Sequence, residues 1–380
     1  MFKYDVCRCC GNEDIKSFIS LPDSPVANAL FEQPNYNRYP LDLNYCDVCG
    51  HLQLDSAPDP DVVFESYRYR SGVSNSFKLH FQNYAQTIFT NYNLNQDSSI
   101  LEIGSNDGYL LNQFKTLGCK VQGVEPSKYL ADYYKEFDIP LHSGFFTTDI
   151  VSRNKWQETY DVVCANNVLA HIPDTHDVIQ GIADSLKENG LLIVECGHRD
   201  AILSGSYLDN VYHEHIDYYS PHSFGTLIEQ YSLIVEHVEL IESHGLSFRL
   251  IARKSKKDSM TSFESINLDE MRTKVKDIIN SRKEKLESLI HQRPFVAYGA
   301  AAKAVTSLYS LDLVNERLVG VYDDNELKQG FYFPGTDILI EHPSKIDKNS
   351  LVVVTAWNFF DEIKNKLIAN GHKGDIICML

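Results

Sequence analysis

The spacing of apolar and polar residues predicts a chain of alternating strands and helices. Short apolar runs of strand length recur in the middle of the chain, in "SSILEIG", "CKVQGVEP", "YDVVCANN" and "GLLIVEC". Longer stretches with apolar positions three or four residues apart, at 75–93 and 268–291, predict helices. This alternation is typical of a mostly parallel, doubly wound sheet.

A second α/β unit is predicted towards the C-terminal end. The segment "PFVAYGAAAKAV" repeats the strand–turn–helix pattern, and "LVGVYDDN", "DILI" and "SLVVVTAW" supply further strands. Residues 1 to about 65 look irregular instead, because "PDSP" and "QPNYNRYP" interrupt any long periodicity. We therefore expect three domains, at residues 1–66, 67–255 and 256–380.

Charge and composition narrow the class of partner. The 380 residues carry 52 acidic against 35 basic side chains, a net charge of −17, so the surface would repel a nucleic-acid backbone. The longest apolar stretches, such as "LVVVTAW", are too short to span a bilayer, and "MFKYDVCRCC" lacks the apolar run of a signal peptide. We expect a cytoplasmic protein with no membrane or nucleic-acid partner.

Two cysteine pairs predict a metal site near the start of the chain. Cys7 and Cys10 form one C-x-x-C motif, and Cys46 and Cys49 form another. Four thiolates in such pairs can surround Zn²⁺ tetrahedrally, and disulfides are rare in cytoplasmic proteins. Cys9 could compete with Cys10, but the spacing favours Cys10. The prediction is a structural zinc ion.

A glycine turn after the first central strand predicts the cofactor. "LEIGSNDG" places Glu102 before Gly104 and Gly108, which is not the G-x-G-x-x-G pattern of a dinucleotide loop. A carboxylate there would repel a pyrophosphate but suits the ammonium group of S-adenosylmethionine (SAM). We expect this turn, with its intervening Asn106 and Asp107, to bind SAM.

Polar residues at the ends of two further strands border the same crevice. Glu125 ends the second central strand, where a carboxylate can accept hydrogen bonds from both ribose hydroxyls. Asn166 and Asn167 follow the strand "YDVVCA". All three are predicted to contact the cofactor.

The stretch "YHEHIDYYS" allows three interpretations: a metal site, a proton-transfer site, or a loop whose polar residues satisfy backbone groups. Its two histidines and its glutamate could ligate a metal, or a histidine could transfer a proton, since its usual pKa of about 6.5 leaves much of it neutral. If the stretch were a strand, His213 and His215 could converge while Glu214 would point away. Two ligands without a third make a poor metal site.

The order of these motifs along the whole chain resembles that of the sugar C-methyltransferase family. The cysteine pairs, "LEIGSNDG", "NNVLAHIPD", "YHEHIDYYS" and "YGAAAKA…YDDNELKQGFYFPGTDILI" carry the resemblance, with departures at Leu246 and Ala304, where glycine is expected. It implies an α/β protein with an N-terminal zinc-binding domain, a central class I Rossmann-like methyltransferase domain and a second Rossmann-like domain. It also implies methylation, at C3, beside the ketone of a nucleotide-linked 4-keto-6-deoxysugar.

The resemblance assigns roles to individual residues. His215 would be the general base that forms an enolate, with Glu214 and Tyr212 beside it, and His171 would face the same pocket. The family's tyrosine-rich segment matches Tyr67 and Tyr69, and it closes near the sugar and the cofactor. The resemblance implies a catalytic role for Tyr67 and a cofactor contact for Tyr69, and it leaves open which of the two reaches the active site.

Other ligands and functions stay open at the level of sequence. The turn before Lys303 is a candidate for holding the sugar's diphosphate, and Asp323 could contact the ribose of a dinucleotide, although the turn has only one glycine, Gly299. The same SAM pocket could serve an O- or N-methyltransferase of another metabolite. A non-catalytic protein that binds zinc and SAM is the third alternative.

Overall fold

The computed structural model describes residues 1–59, 75–127, 130–205, 207–241, 246–255 and 267–380. The strands are β1 Phe2–Lys3, β2 Ile15–Ser24, β3 Tyr39–Cys46, β4 Leu52–Leu54, β5 Ser56–Ala57, β6 Ser99–Ile103, β7 Lys120–Glu125, β8 Leu141–Ser143, β9 Tyr160–Asn166, β10 Leu186–Gly197, β11 Asp217–Tyr218, β12 Leu233–Ile241, β13 Ser247–Lys254, β14 Phe295–Tyr298, β15 Leu318–Tyr322, β16 Ile340–Glu341, β17 Leu351–Val354 and β18 Ile376–Cys378. The helices are α1 Asn75–Asn91, α2 Tyr109–Thr116, α3 Ala131–Phe137, α4 Thr148–Arg153, α5 Thr175–Ser185, α6 Asp200–Leu203, α7 Pro221–Glu229, α8 Leu268–Ile290, α9 Ala302–Ser310 and α10 Phe360–Ala369.

The central domain is built on a seven-stranded sheet of order β12-β13-β10-β9-β6-β7-β8. Strand β13 runs antiparallel to both its neighbours, and the other pairings are parallel. Successive residues of a strand face opposite sides, so Val163 packs in one hydrophobic core and Val162 in the other. The doubly wound sheet predicted from the sequence is confirmed, and the carboxyl ends of β6, β7 and β9 meet at one edge.

The N-terminal region contains an ordered sheet, so the irregular structure expected for residues 1–65 is wrong in part. Strands β2, β3 and β4 pair antiparallel, and β11 from the central region pairs with β4 as a fourth strand. Alternating residues of "YPLDLNYC" on β3 put Leu41 and Leu43 in the core. Prolines at strand ends concealed this alternation, since proline weakens a strand signal without excluding an edge position.

The C-terminal domain has a five-stranded, fully parallel sheet of order β16-β15-β14-β17-β18. Apolar side chains cover both faces, with Val353 on one side and Val352 on the other. This confirms a second Rossmann-like unit. Across the described ranges, no helix combines the length and apolar character that a membrane span requires.

His213 belongs to the packing rather than to the crevice. Its side chain is buried, its Nε2 donates to the carbonyl of Pro40 at 3.1 Å, and its ring meets Tyr39 edge-on. Burial lowers the pKa of His213. The unfolded chain, where histidine titrates near pH 6.5, therefore binds the proton more readily than the folded protein.

We predict that His213 makes the protein sensitive to acid. Its neutral ring contributes stability that is complete above about pH 6.5 and is lost as the pH falls through its lowered folded-state pKa. Urea unfolding at pH 7.5 and 5.5 should show a smaller pH-dependent loss for His213→Gln than for the unaltered protein. The exposed His237 serves as a control through His237→Gln. Equal losses in the His213 variant and the unaltered protein would contradict the prediction.

Candidate active site and metal centre

The structure brings the four predicted cysteine ligands together. The Sγ atoms of Cys7, Cys10, Cys46 and Cys49 all lie within 4.8 Å of one another, and three of these residues are buried. The backbone N–H of Gly11 donates to Cys7 O and that of Gly50 donates to Cys46 O, which closes each knuckle. Cys9 is fully buried outside this group. Four sulfur donors at these separations fit Zn²⁺.

The turn after β6 has a backbone that requires glycine. Gly104 has φ +62°, and a Cβ there would lie 2.5 Å from Val168 Cγ2. Gly108 has φ +73° where α2 begins, and Asn106 also lies in the left-handed region, with its Oδ1 accepting from Asp107 N. The turn therefore brings backbone close to the crevice at the carboxyl edge of the sheet.

Glu102 and Asn166 offer unsatisfied polar atoms beside this turn. They lie on neighbouring strands β6 and β9, and Glu102 is 5% exposed. Glu102 Oε2 and Asn166 Nδ2 are buried and have no hydrogen-bond partner in the described part of the chain. Burial raises the pKa of Glu102 well above its usual value. A buried carboxylate without a cation suits the amino-acid end of SAM, whose ammonium group can donate to Oε2.

Glu125 and Asn167 complete the predicted cofactor residues. Glu125 Oε2 accepts from Asn106 N at 3.0 Å and its Oε1 accepts from Ser127 N at 2.8 Å, so the carboxylate is fixed against the glycine turn. Each oxygen keeps a second lone pair for a hydroxyl donor. Asn167 has φ +53°, and its N–H donates to Glu195 O at 2.7 Å.

A buried network around Glu195 was not predicted from the sequence. Arg249 Nε donates to Glu195 Oε1 at 2.8 Å, and His80 Nε2 pairs with Oε2 at 2.8 Å. The N–H of Glu195 donates to Asn166 Oδ1 at 3.1 Å. These hydrogen bonds fix the orientation of the Asn166 amide and, through His80, connect helix α1 to the sheet. The feature of the sequence that could have indicated this network is Glu195, a single acidic residue in the apolar strand "LLIVEC".

His171 and His215 lie close to each other. Their ring centroids are 4.7 Å apart. His171 ends the 3₁₀ turn Leu169–His171 that follows β9, and its Nδ1 donates to Glu214 O at 2.6 Å. Burial lowers the pKa of His171, and hydrogen bonds to the backbone of Glu214 and Asn167 oppose this shift.

The "YHEHIDYYS" stretch forms a turn before the short strand β11. The N–H of His215 donates to Tyr212 O at 2.9 Å, so the stretch is not a strand at the histidines. His213 and His215 contact different groups instead of converging. The four cysteines are the one cluster of potential metal ligands among the described residues, which leaves no support for a metal at "HEH".

The hydrogen bonds of His215 fix its tautomer. Nδ1 lies 2.8 Å from Asn210 O, a carbonyl that can only accept, so Nδ1 carries the proton. Nε2 then accepts a hydrogen bond from Tyr212 OH at 3.0 Å. The two rings stack at 4.1 Å between centroids. Nε2 is therefore the unprotonated nitrogen of the ring.

Glu214 contacts the N-terminal region. Its Oε1 accepts from Asn28 N at 2.8 Å, and its Oε2 is buried without a partner among the described residues. Burial raises the pKa of Glu214. Tyr67 and Tyr69 lie outside the described residues.

The turn of the C-terminal domain is arranged differently from a dinucleotide loop. Asp323 accepts from Ala300 N at 2.7 Å, from Asn325 N at 2.8 Å and from Lys328 Nζ at 3.1 Å. Its carboxylate thus caps the turn and pairs with a cation, which leaves little capacity for a ribose. Lys303 Nζ lies 5.6 Å from the ring centroid of Trp357, near the segment that precedes "YHEHIDYYS".

Three protein-family models match successive parts of the chain. They are described as "Putative zinc binding domain" over residues 7–64, "Methyltransferase domain" over residues 79–238 and "C-methyltransferase C-terminal domain" over residues 242–380. The sheet with a single reversed strand and the carboxylate–glycine turn define a SAM-dependent methyltransferase of the Rossmann-like class.

Known proteins are similar to the chain over different shares of its length. The chain is 27% identical to C-methyltransferase NovU of Streptomyces niveus over 97% of this chain and 94% of that protein. It is 24% identical to the ubiquinone biosynthesis O-methyltransferase of Shewanella sp. (strain ANA-3), over 36% of this chain and 63% of that protein. The 1,6-didemethyltoxoflavin-N1-methyltransferase structure from Burkholderia thailandensis superposes with a TM-score of 0.41 at 14% identity, covering 56% of this chain and 99% of that one. These matches support the sugar C-methyltransferase family predicted from the sequence, and they support SAM and zinc as the cofactors.

We predict that Cys46 and not Cys9 is needed to hold zinc. Cys46→Ser replaces one of four thiolates and should lower the zinc content well below about one ion per chain, with a lower melting temperature. Cys9→Ser changes a buried thiol outside the cluster and should keep the metal. Elemental analysis of both purified proteins checks this. Equal zinc loss in the two variants would contradict the assignment of Cys10 over Cys9.

We predict that Glu102 binds the ammonium group of SAM. Glu102→Gln keeps the shape and removes the charge, so SAM affinity should fall by about 10- to 100-fold, the effect of losing one charge-assisted hydrogen bond. Isothermal titration with SAM measures this. Glu188→Gln, at an exposed position, controls for net charge. Unchanged affinity in Glu102→Gln would exclude the assigned role.

Proposed function

We propose that this enzyme transfers the SAM methyl group to the carbon beside the ketone of a nucleotide-linked 4-keto-6-deoxyhexose, at C3. The observation that carries the proposal is the His215 imidazole, whose Nδ1–H is held by Asn210 O so that Nε2 is the basic atom. A proton beside a ketone is weakly acidic, and its removal requires a positioned base. An O- or N-methyltransferase of an ordinary hydroxyl or amine does not require an enolate.

His215 is the proposed base. Nε2 takes the proton from the substrate carbon, and the electron pair of the C–H bond moves to the ketone oxygen to form an enolate. Asn210 O stabilises the resulting imidazolium through Nδ1–H, as a carbonyl acceptor does in other histidine bases. Bound SAM would supply an electrophilic methyl group: the enolate carbon would form the new C–C bond while the S–CH3 bond breaks, and S-adenosylhomocysteine would be the leaving group.

Tyr212 is the proposed donor to the enolate oxygen. In the resting site its hydroxyl donates to His215 Nε2. Bound substrate displaces this hydroxyl from Nε2 before the proton transfer, and the phenol proton is then donated to the developing oxyanion. His171 is a poorer donor, because its Nδ1–H already donates to Glu214 O.

Two further groups are proposed to hold the sugar nucleotide. Glu214 Oε2, buried and unsatisfied, suits a sugar hydroxyl. Lys303 suits the diphosphate, because it places a cation at the start of helix α9. Its Nζ lies 5.9 Å from the ring centroid of Tyr207 and 5.6 Å from that of Trp357.

The proposal predicts exchange of the substrate's carbon-bound hydrogen. In D₂O with S-adenosylhomocysteine and a 4-keto-6-deoxyhexose nucleotide, the enzyme should introduce deuterium at the carbon beside the ketone. His215→Ala should lower exchange and methylation by at least about 100-fold, within the range for a lost general base, and keep SAM affinity. The exposed His237→Ala is the control. Normal methylation by His215→Ala would overturn the assignment, and methylation without exchange would favour an O- or N-methyltransferase.

A further inference from the structure

Arg8 joins the zinc-binding knuckle to both segments that carry the reactive histidines. It lies between the ligands Cys7 and Cys10 in sequence, and its side chain is 9% exposed. Arg8 Nε donates to Asp217 Oδ1 at 2.9 Å, and Nη2 donates to Asp217 Oδ2 at 3.1 Å. The same guanidinium donates to two backbone carbonyls, those of Ile172 at 2.8 Å and Pro173 at 2.9 Å.

These contacts lie next to the reacting groups in the chain. Asp217 is two residues beyond His215, and Ile172 directly follows His171. The two segments also bond each other, since Ile216 N donates to Ala170 O at 2.7 Å. Arg8 therefore spans the two segments whose histidine rings lie 4.7 Å apart.

The carboxylate at the centre is held from the second knuckle as well. His51, two residues after the ligand Cys49, places its Nε2 2.9 Å from Asp217 Oδ1. Tyr219 OH donates to the other oxygen at 3.1 Å. Asp217 is completely buried. Arg8 in the first cysteine knuckle and His51 beside the second both bond its carboxylate. A zinc-binding domain that served only to stabilise its own fold would not require contacts with the segments that carry His171 and His215.

We propose that Arg8 is a positioning residue for catalysis, through which the metal-binding knuckle sets the placement of His215 against His171. The inference rests on the proposed role of His215. A planar guanidinium can bond the carboxylate and both carbonyls at once, whereas the single ammonium of lysine cannot. Arg8→Lys keeps the charge against Asp217 and loses the connection to the His171 segment.

The test compares Arg8→Lys with Arg272→Lys. Arg272, on helix α8, also donates to two N-terminal carbonyls, those of Ser17 and Phe18, and pairs with Asp269. These contacts do not involve the segments that carry the two histidines. Deuterium exchange into the ketosugar, zinc content and SAM affinity are measured for both. Imidazole NMR signals of His171 and His215 are recorded too, assigned with His171→Gln and His215→Gln.

We expect exchange to fall by about 100-fold in Arg8→Lys, as for a misplacement of about 1 Å, with zinc content and SAM affinity within about twofold. The two imidazole signals should move in Arg8→Lys and stay in Arg272→Lys. Should Arg8→Lys fail to fold, Thr175→Val takes its place: it removes a hydroxyl that accepts from Arg8 Nη2 and donates to Ile172 O, leaves no charge unpaired, and should move the same signals in the same direction by a smaller amount.

Two results would overturn the inference: unchanged exchange per folded molecule, or imidazole signals that stay in place in Arg8→Lys. If the unaltered enzyme shows no exchange with any ketosugar nucleotide, the proposed function fails instead. The imidazole signals then decide the role of Arg8 alone, since they report ring placement without turnover.

Discussion

The buried ion pair between Arg8 and Asp217 is the interaction on which the rest of the site depends. Each partner leaves water at a large desolvation cost, which only complete hydrogen bonding offsets. Burial alone would raise the pKa of Asp217, but the charge of Arg8 and the hydrogen bond from His51 lower it to about 2. The carboxylate therefore stays ionised at any physiological pH. Removing one partner of such a pair costs about 3–5 kcal/mol, because the other charge remains buried.

This pair explains why the sheet of the N-terminal region includes a strand from the middle of the chain. Strand β11 carries Asp217 and pairs with β4 opposite Gln53, whose Oε1 accepts from Arg8 N at 2.9 Å. The cofactor side is built separately, from the carboxyl ends of parallel strands. In the proposed mechanism the base therefore lies next to the N-terminal sheet, and the methyl donor binds at the edge of the central sheet.

Much of this arrangement could be predicted from the sequence, and the failures have physical causes. The parallel strands were evident because buried strands form continuous apolar runs, and the cysteine pairs because their spacing reflects ligand geometry. The β2–β4 sheet was missed because prolines interrupted its alternation. Arg8, Asp217 and Glu195 could not be predicted as partners, since their contacts join residues far apart in the chain and no local pattern encodes them. The lack of a local pattern also left open whether the histidines of "HEH" lie on a strand or in a turn.

The central claim is that this chain forms a carbon–carbon bond with the methyl group of SAM. The most direct measurement is NMR of the product made from ¹³C-methyl-labelled SAM and a 4-keto-6-deoxyhexose nucleotide. The account predicts a labelled C-methyl signal that correlates with the carbon next to the ketone. A label found at the chemical shift of a methoxy or N-methyl group would contradict it.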